Sequence, residues 1–147
     1  MAMGIFEQLS WLTTRVKRIC CAIKVGAYKS PAAIDVANIP PTPDGYNITE
    51  GGVYQFYGTS GSGSTDLLFT DPTSAGQFLM IVNVSTTENL QFSQAPGSSR
   101  PWFSDGTNPS VAGPGETWQF ISIDGSILTA TPNYGFVWLA YKVYPYL

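Results

Sequence analysis

Residues 117–144 read TWQFISIDGSILTATPNYGFVWLAYKVY. Residues 117–123 and 126–131 are runs rich in β-branched and aromatic side chains, separated by Asp124-Gly125. Asp-Gly in that place marks a two-residue type I′ hairpin, because both turn positions need a positive φ. Residues 136–144 then read as a long final strand. Phe136, Trp138, Ala140 and Tyr144 fall on one of its faces. Val137, Leu139, Tyr141 and Val143 fall on the other, and Lys142 is its only charge. A sandwich strand commonly wets one face. Two apolar faces predict one side in the core and the other in a subunit interface. The alternative is a central strand covered by loops.

The same texture extends upstream. Residues 53–57, 66–70, 77–84 and 88–93 read as strands, and Phe78 to Val82 is an unbroken apolar run that predicts cover on both faces. The loop GTSGSGST at 58–65 has glycines but no Gly-Lys-Ser/Thr after them and no helix pattern, so it is no phosphate loop. Residues 95–116 hold four prolines and four glycines and predict a long loop carrying Trp102 and Phe103. The fold class expected is mainly β: an antiparallel, jelly-roll-like β-sandwich head over 53–147, preceded by a helix.

That helix is written in the first 29 residues. Ile5, Leu9, Leu12, Val16, Ile19 and Ile23 recur in steps of four, three, four, three and four. This heptad seam keeps one apolar stripe facing a partner helix. Isoleucine dominates d, with Leu9, Val16 and Ile23 at a, which leans away from two strands and toward a short parallel trimer. The alternative cover is the chain's own β domain, since an isolated helix this short is marginal in water. Cys20 and Cys21 are adjacent on the helix and point apart, so they do not bridge each other. They read as ordinary helix residues, with an interchain disulfide through Cys20 as the lesser alternative. Residues 30–52 carry Pro31, Pro40, Pro41 and Pro43, which predicts an extended connector.

Charge divides the chain. Residues 1–29 have five basic side chains against Glu7. The remainder has Arg100 and Lys142 against nine acids. A basic anchor and an acidic head suit different partners. Nucleic acid is not among them, since five charges are few and no base-reading motif follows. Charged residues make up 12% of the chain, against about 25% in an ordinary soluble domain. That balance, with abundant aromatics, suits extracellular or virion β proteins. No secretion signal and no apolar run of transmembrane length is evident in the sequence.

There is no histidine, and the acids are scattered singly. Histidine-dependent triads and histidine metal sites are excluded. Asp66, Asp71, Asp105 and Asp124 follow no spaced calcium motif. The expectation is no enzyme, no cofactor and no metal. Arg100, Trp102 and Phe103 are the ligand-contact candidates, because flat rings beside a charged donor suit sugars or protein surfaces. The competing reading folds both rings inward as a plug. Asn47-Ile48-Thr49 and Asn83-Val84-Ser85 match glycosylation acceptors, read as chance matches in a chain without a secretion signal.

A short basic heptad helix, a Pro-rich connector and a charge-poor Gly/Ser/Thr β head resemble in layout the small trimeric fibre and head-fibre proteins of tailed phages. The segment WLTTRVKRICCA at 11–22 also resembles the N-terminal segment of small virion proteins from phages of Bacteroidetes, the crAss-like group among them. The resemblance implies a homotrimeric short fibre or capsid-decoration protein. It would be made in the host cytoplasm, placed on the virion surface and anchored to a capsid protein by its N-terminal segment. The β head would project outward for host attachment, with a host-surface glycan as the candidate partner. A carbohydrate-binding, lectin-like β module is the alternative. A third reading lays the basic helix on a membrane through Phe6 and Trp11.

Overall fold

The computed structural model describes residues 4–14, 32–128 and 135–143. Residues 5–14 are helical and form α1. The Glu7 carboxylate reaches back to accept from the Gly4 N–H at 3.3 Å, one half of a capping box. Val16, Ile19, Ile23, Cys20 and Cys21 lie outside the described residues.

Among the described residues nine strands follow: β1 (Ala32–Asp35), β2 (Tyr46–Ile48), β3 (Gly52–Tyr57), β4 (Ser64–Phe69), β5 (Phe78–Asn83), β6 (Asn89–Gln94), β7 (Val111–Ala112), β8 (Thr117–Asp124) and β9 (Phe136–Val143). They form two sheets. One runs β1-β3-β5-β8-β9 and the other β2-β4-β6-β7. Successive strands from β1 to β6 therefore alternate between the sheets. The pairs β1–β3, β3–β5, β2–β4 and β4–β6 are all parallel. The chain winds as a flattened coil, three times round, before turning back. The pairs β5–β8, β8–β9 and β6–β7 are antiparallel and close the coil.

This differs from the antiparallel, jelly-roll-like arrangement expected above: both sheets are mixed. The physical reason lies in the connections. Alternation along a strand states which face is buried, not which neighbour it pairs with. The three residues between β2 and β3 are short enough for a hairpin, yet they carry the chain across to the other sheet. Residues 32–52 supply β1 and β2, with a 3-10 turn at Val36–Asn38 between them, so this segment takes part in both sheets. Close approach is needed there. Gly45 has φ +48°, and a Cβ on it would sit 2.7 Å from the Asp66 carbonyl oxygen.

The Asp-Gly turn also resolves differently. Asp124 Oδ1 accepts from the Ser126 N–H at 2.9 Å, and Gly125–Ile127 make a 3-10 turn. An Asx turn of this kind competes with the type I′ geometry. The antiparallel partner of β8 is β9, in register from Thr117 opposite Val143 to Asp124 opposite Phe136.

The core lies between the sheets. Phe56, Leu79, Ile81, Trp118, Phe120 and Trp138 come from the first sheet, and Ile48, Leu67, Phe69, Leu90 and Phe92 from the second. Phe92 is the aromatic centre. Its ring meets Phe69 at 5.4 Å, Trp118 at 5.3 Å and Phe120 at 5.5 Å, all three edge to face. Asn83 is buried beside them. Its Nδ2 donates to the carbonyls of Glu88, Ala112 and Gly113, and its Oδ1 accepts from the Ser85 N–H. One side chain thus holds the β5–β6 turn to β7, and its amide nitrogen is not accessible as a glycosylation acceptor in this fold.

Candidate functional site

Two apolar surfaces face outward. On α1, Ile5, Leu9 and Leu12 lie at i, i+4 and i+7 and share a face; they are 69%, 56% and 54% exposed. These are the described members of the seam. The second surface is the outer face of the five-stranded sheet. Along it Val53 stands opposite Met80, Met80 opposite Gln119, and Gln119 opposite Tyr141. Phe78 stands opposite Ile121 in the next row. Val53, Phe78, Met80 and Val82 are half-buried, whereas Ile121 and Tyr141 are exposed. From β3 to β9 this face carries no charged side chain. The described residues hold ten acids and two bases in all, so an uncharged apolar face is a local exception.

The final strand has two apolar faces, as its sequence indicates, but much of the second is covered by the chain itself. Trp138 and Ala140 enter the main core. Val137 and Leu139 pack with Leu128, Trp102 and Ile123 in a smaller cluster. The loop-cover alternative accounts for that part of β9, and Tyr141 remains at the surface.

The segment 95–116 is held in place by its own hydrogen bonds. Asp71 Oδ1 accepts from the Ser99 N–H at 2.9 Å and hydroxyl at 2.7 Å, and Asn108 Nδ2 donates to the Pro101 carbonyl. Trp102 extends the sheet beyond β9. Its N–H donates to the Trp138 carbonyl at 2.8 Å, and its carbonyl accepts from the Ala140 N–H at 2.7 Å. Phe103 turns inward, with its ring 5.8 Å from that of Trp118. Of the three ligand-contact candidates, Arg100 and Trp102 come together. With Gln94, Ser98, Ser99 and Asn108 they line a pocket of about 180 Å³. Phe103 is not in that lining. Trp102→Ala should lower stability by about 2 kcal/mol, roughly half the cost of a fully buried ring. Arg100→Ala, at an exposed position, should leave urea unfolding unchanged. A Trp102→Ala midpoint equal to wild type would show that the ring contributes no packing.

Sequence reasoning passed over Glu88. It precedes β6 in a polar turn, and its side chain is fully buried. It accepts from the Ser60 N–H at 3.1 Å, the Ser60 hydroxyl at 2.6 Å and the Thr65 hydroxyl at 2.7 Å. Burial alone raises its pKa. The hydrogen bonds from Ser60, Thr65 and Thr59 outweigh it and hold the carboxyl below its usual range. Glu116 is the second such group. Burial raises it, whereas Lys142 at 2.5 Å, the Gly113 N–H and the Trp118 indole lower it. Both are carboxylates whose lone pairs are committed to structural donors.

The four aspartates considered for calcium likewise accept structural hydrogen bonds, Asp105 and Asp124 within their own turns and Asp66 and Asp71 from distant segments. Asp66 accepts from Thr42, Asp71 from Ser99, Asp105 from Thr107 and Asp124 from Ser126. Among the described residues no three His, Cys, Asp or Glu side chains gather as a metal site. No described helix is long and apolar enough to cross a membrane. No protein-family model matches the chain, and no curated protein matches it.

Proposed function

We propose that this protein is a structural component of a virus particle: a homotrimeric short fibre or capsid-decorating protein of a tailed phage. The observation that carries the reading is the pair of outward apolar surfaces on an otherwise acidic molecule. Heptad spacing on α1 selects an identical helix as partner. Three parallel helices bring three heads side by side. The heads repel one another through their acids except where charge is missing, and the outer face of the five-stranded sheet is that place. The basic N-terminal segment, 1–29, faces the particle, and the coiled β head projects toward the host. A sugar-binding head is the second reading, favoured by the pocket beside Arg100 with its amide and hydroxyl lining.

The main core draws on residues from Ile34 to Ala140, with none from the described residues of α1. Deleting 1–29 should therefore leave a folded head with native-like circular dichroism. Co-sedimentation with particles lacking the protein should drop to background. A truncated chain that still attaches would place the anchor in the head.

A further inference from the structure

Among the described residues the bases are Arg100 and Lys142. Lys142 is paired with Glu116. Arg100 is exposed and, among the described residues, meets no carboxylate, although acids outnumber bases there. It stands at the pocket of about 180 Å³ whose other lining residues are Gln94, Ser98, Ser99, Trp102 and Asn108. No acid is in that lining. Asp71 is close by, but its Oδ1 takes both the N–H and the hydroxyl of Ser99. The pocket therefore carries one uncompensated positive charge.

The rest of the lining offers hydrogen bonds of both kinds. Ser98 Oγ accepts from the Asp71 N–H at 3.2 Å and keeps its own proton to donate. Asn108 spends one N–H on the Pro101 carbonyl, which fixes the amide and leaves its carbonyl oxygen to accept. The exposed Gln94 amide brings a further donor and acceptor. Trp102 is half-buried. It packs with Leu128, Val137 and Leu139, and the remainder of it lines the pocket. Two backbone hydrogen bonds to β9 hold it there, so little ordering is left to be done on binding.

The volume has room for one ring-sized group. A neutral sugar would match the amides and the indole, and would leave Arg100 uncompensated. A glutamate side chain would match Arg100, and would bring only methylenes to the Gln94 and Asn108 amides. A sugar that carries a carboxylate matches all of them: the planar guanidinium fork takes the carboxylate, hydroxyls both donate and accept, and the ring's C–H face meets the indole. We infer that this pocket binds a hexuronic acid unit of a cell-surface polysaccharide. The inference rests on the sugar-binding reading of the head and adds the charge of the sugar.

The test is an amide-shift titration of the deuterated full chain with methyl glucuronide, methyl glucoside, acetate and Nα-acetyl-glutamate amide. The glucuronide should move the Arg100, Trp102 and Asn108 amides saturably. It should bind at least about tenfold tighter than the glucoside, as one charge-assisted hydrogen bond implies. Arg100→Gln should bring the glucuronide down to the level of the glucoside, and Arg100→Lys should restore part of the difference, since lysine keeps the charge without the fork. Gln94→Ala should weaken both sugars alike. Equal binding of the two sugars would overturn the inference and leave the sugar-binding reading standing. Acetate or the glutamate probe binding as tightly as the glucuronide would show a bare carboxylate site and overturn it too. No shift with any probe would overturn both the inference and the sugar-binding reading.

Discussion

Glu88→Ala lowers the free energy of unfolding by about 4 kcal/mol, the largest loss expected from any single polar substitution in this chain. The substitution strands three donors at once: the Ser60 N–H, the Ser60 hydroxyl and the buried Thr65 hydroxyl. Each stranded donor costs about 1–3 kcal/mol, less where water can reach it. It also opens a void where two successive coils of the chain meet. Against a total stability of about 5–15 kcal/mol, this is enough to unfold a marginal head. Urea unfolding followed by tryptophan fluorescence measures it, and a loss under 1 kcal/mol would mean that Glu88 is not the tie described. The same carboxyl sets an acid limit. Its folded pKa lies below the ordinary 4.5. Its contribution is therefore complete above the unfolded value and is lost as pH falls through the folded one. Glu88→Gln should be less stable than wild type at pH 7, and the gap should close as pH drops below about 4.5.

Ile121→Asp and Leu12→Asp should each convert the proposed trimer to monomer. Both side chains are exposed in the single chain, 41% and 54%, so neither substitution should disturb its fold. In a trimer each adds three carboxylates to a desolvated contact. A buried charge without a partner costs several kcal/mol, so an association constant at least about 100-fold weaker is expected. Circular dichroism should remain native in both variants while sedimentation velocity reports the smaller species. Variants that sediment like wild type would remove these two surfaces from the contact.

The β strands themselves were legible. Residues 53–57, 77–84, 117–123 and 136–144 match β3, β5, β8 and β9 to within about a residue or two at each end, because half-buried strands must alternate. Their pairing was not. Phe56 alternates inward in the same way whether its neighbour runs parallel or antiparallel, and only the path of the loops decides. β1 and β2 are four and three residues long in a proline-rich segment, too short for a period to show. Asp124-Gly125 misled because an Asp side chain that bonds its own backbone satisfies the turn in another way.

The sites show the same limit. The α1 stripe was visible because helical spacing is local. Trp102 and Phe103 were visible as rings in a loop, but their opposite fates depend on β9 and Trp118, some 35 and 15 residues onward. The structural roles of Glu88 and Asn83 were not legible. They read as polar ends of the strands 88–93 and 77–84, and only the coiling of the chain brings Ser60, Thr65, Ala112 and Gly113 around them. The serines of GTSGSGST read as a flexible loop for that same reason.

The central claim is that identical copies cover both apolar surfaces. Light scattering coupled to gel filtration of the full chain at micromolar concentration tests it most directly. The account predicts one peak with three times the 15.9 kDa mass of the chain. A peak at the mass of one chain, with both apolar surfaces left in water, would contradict it.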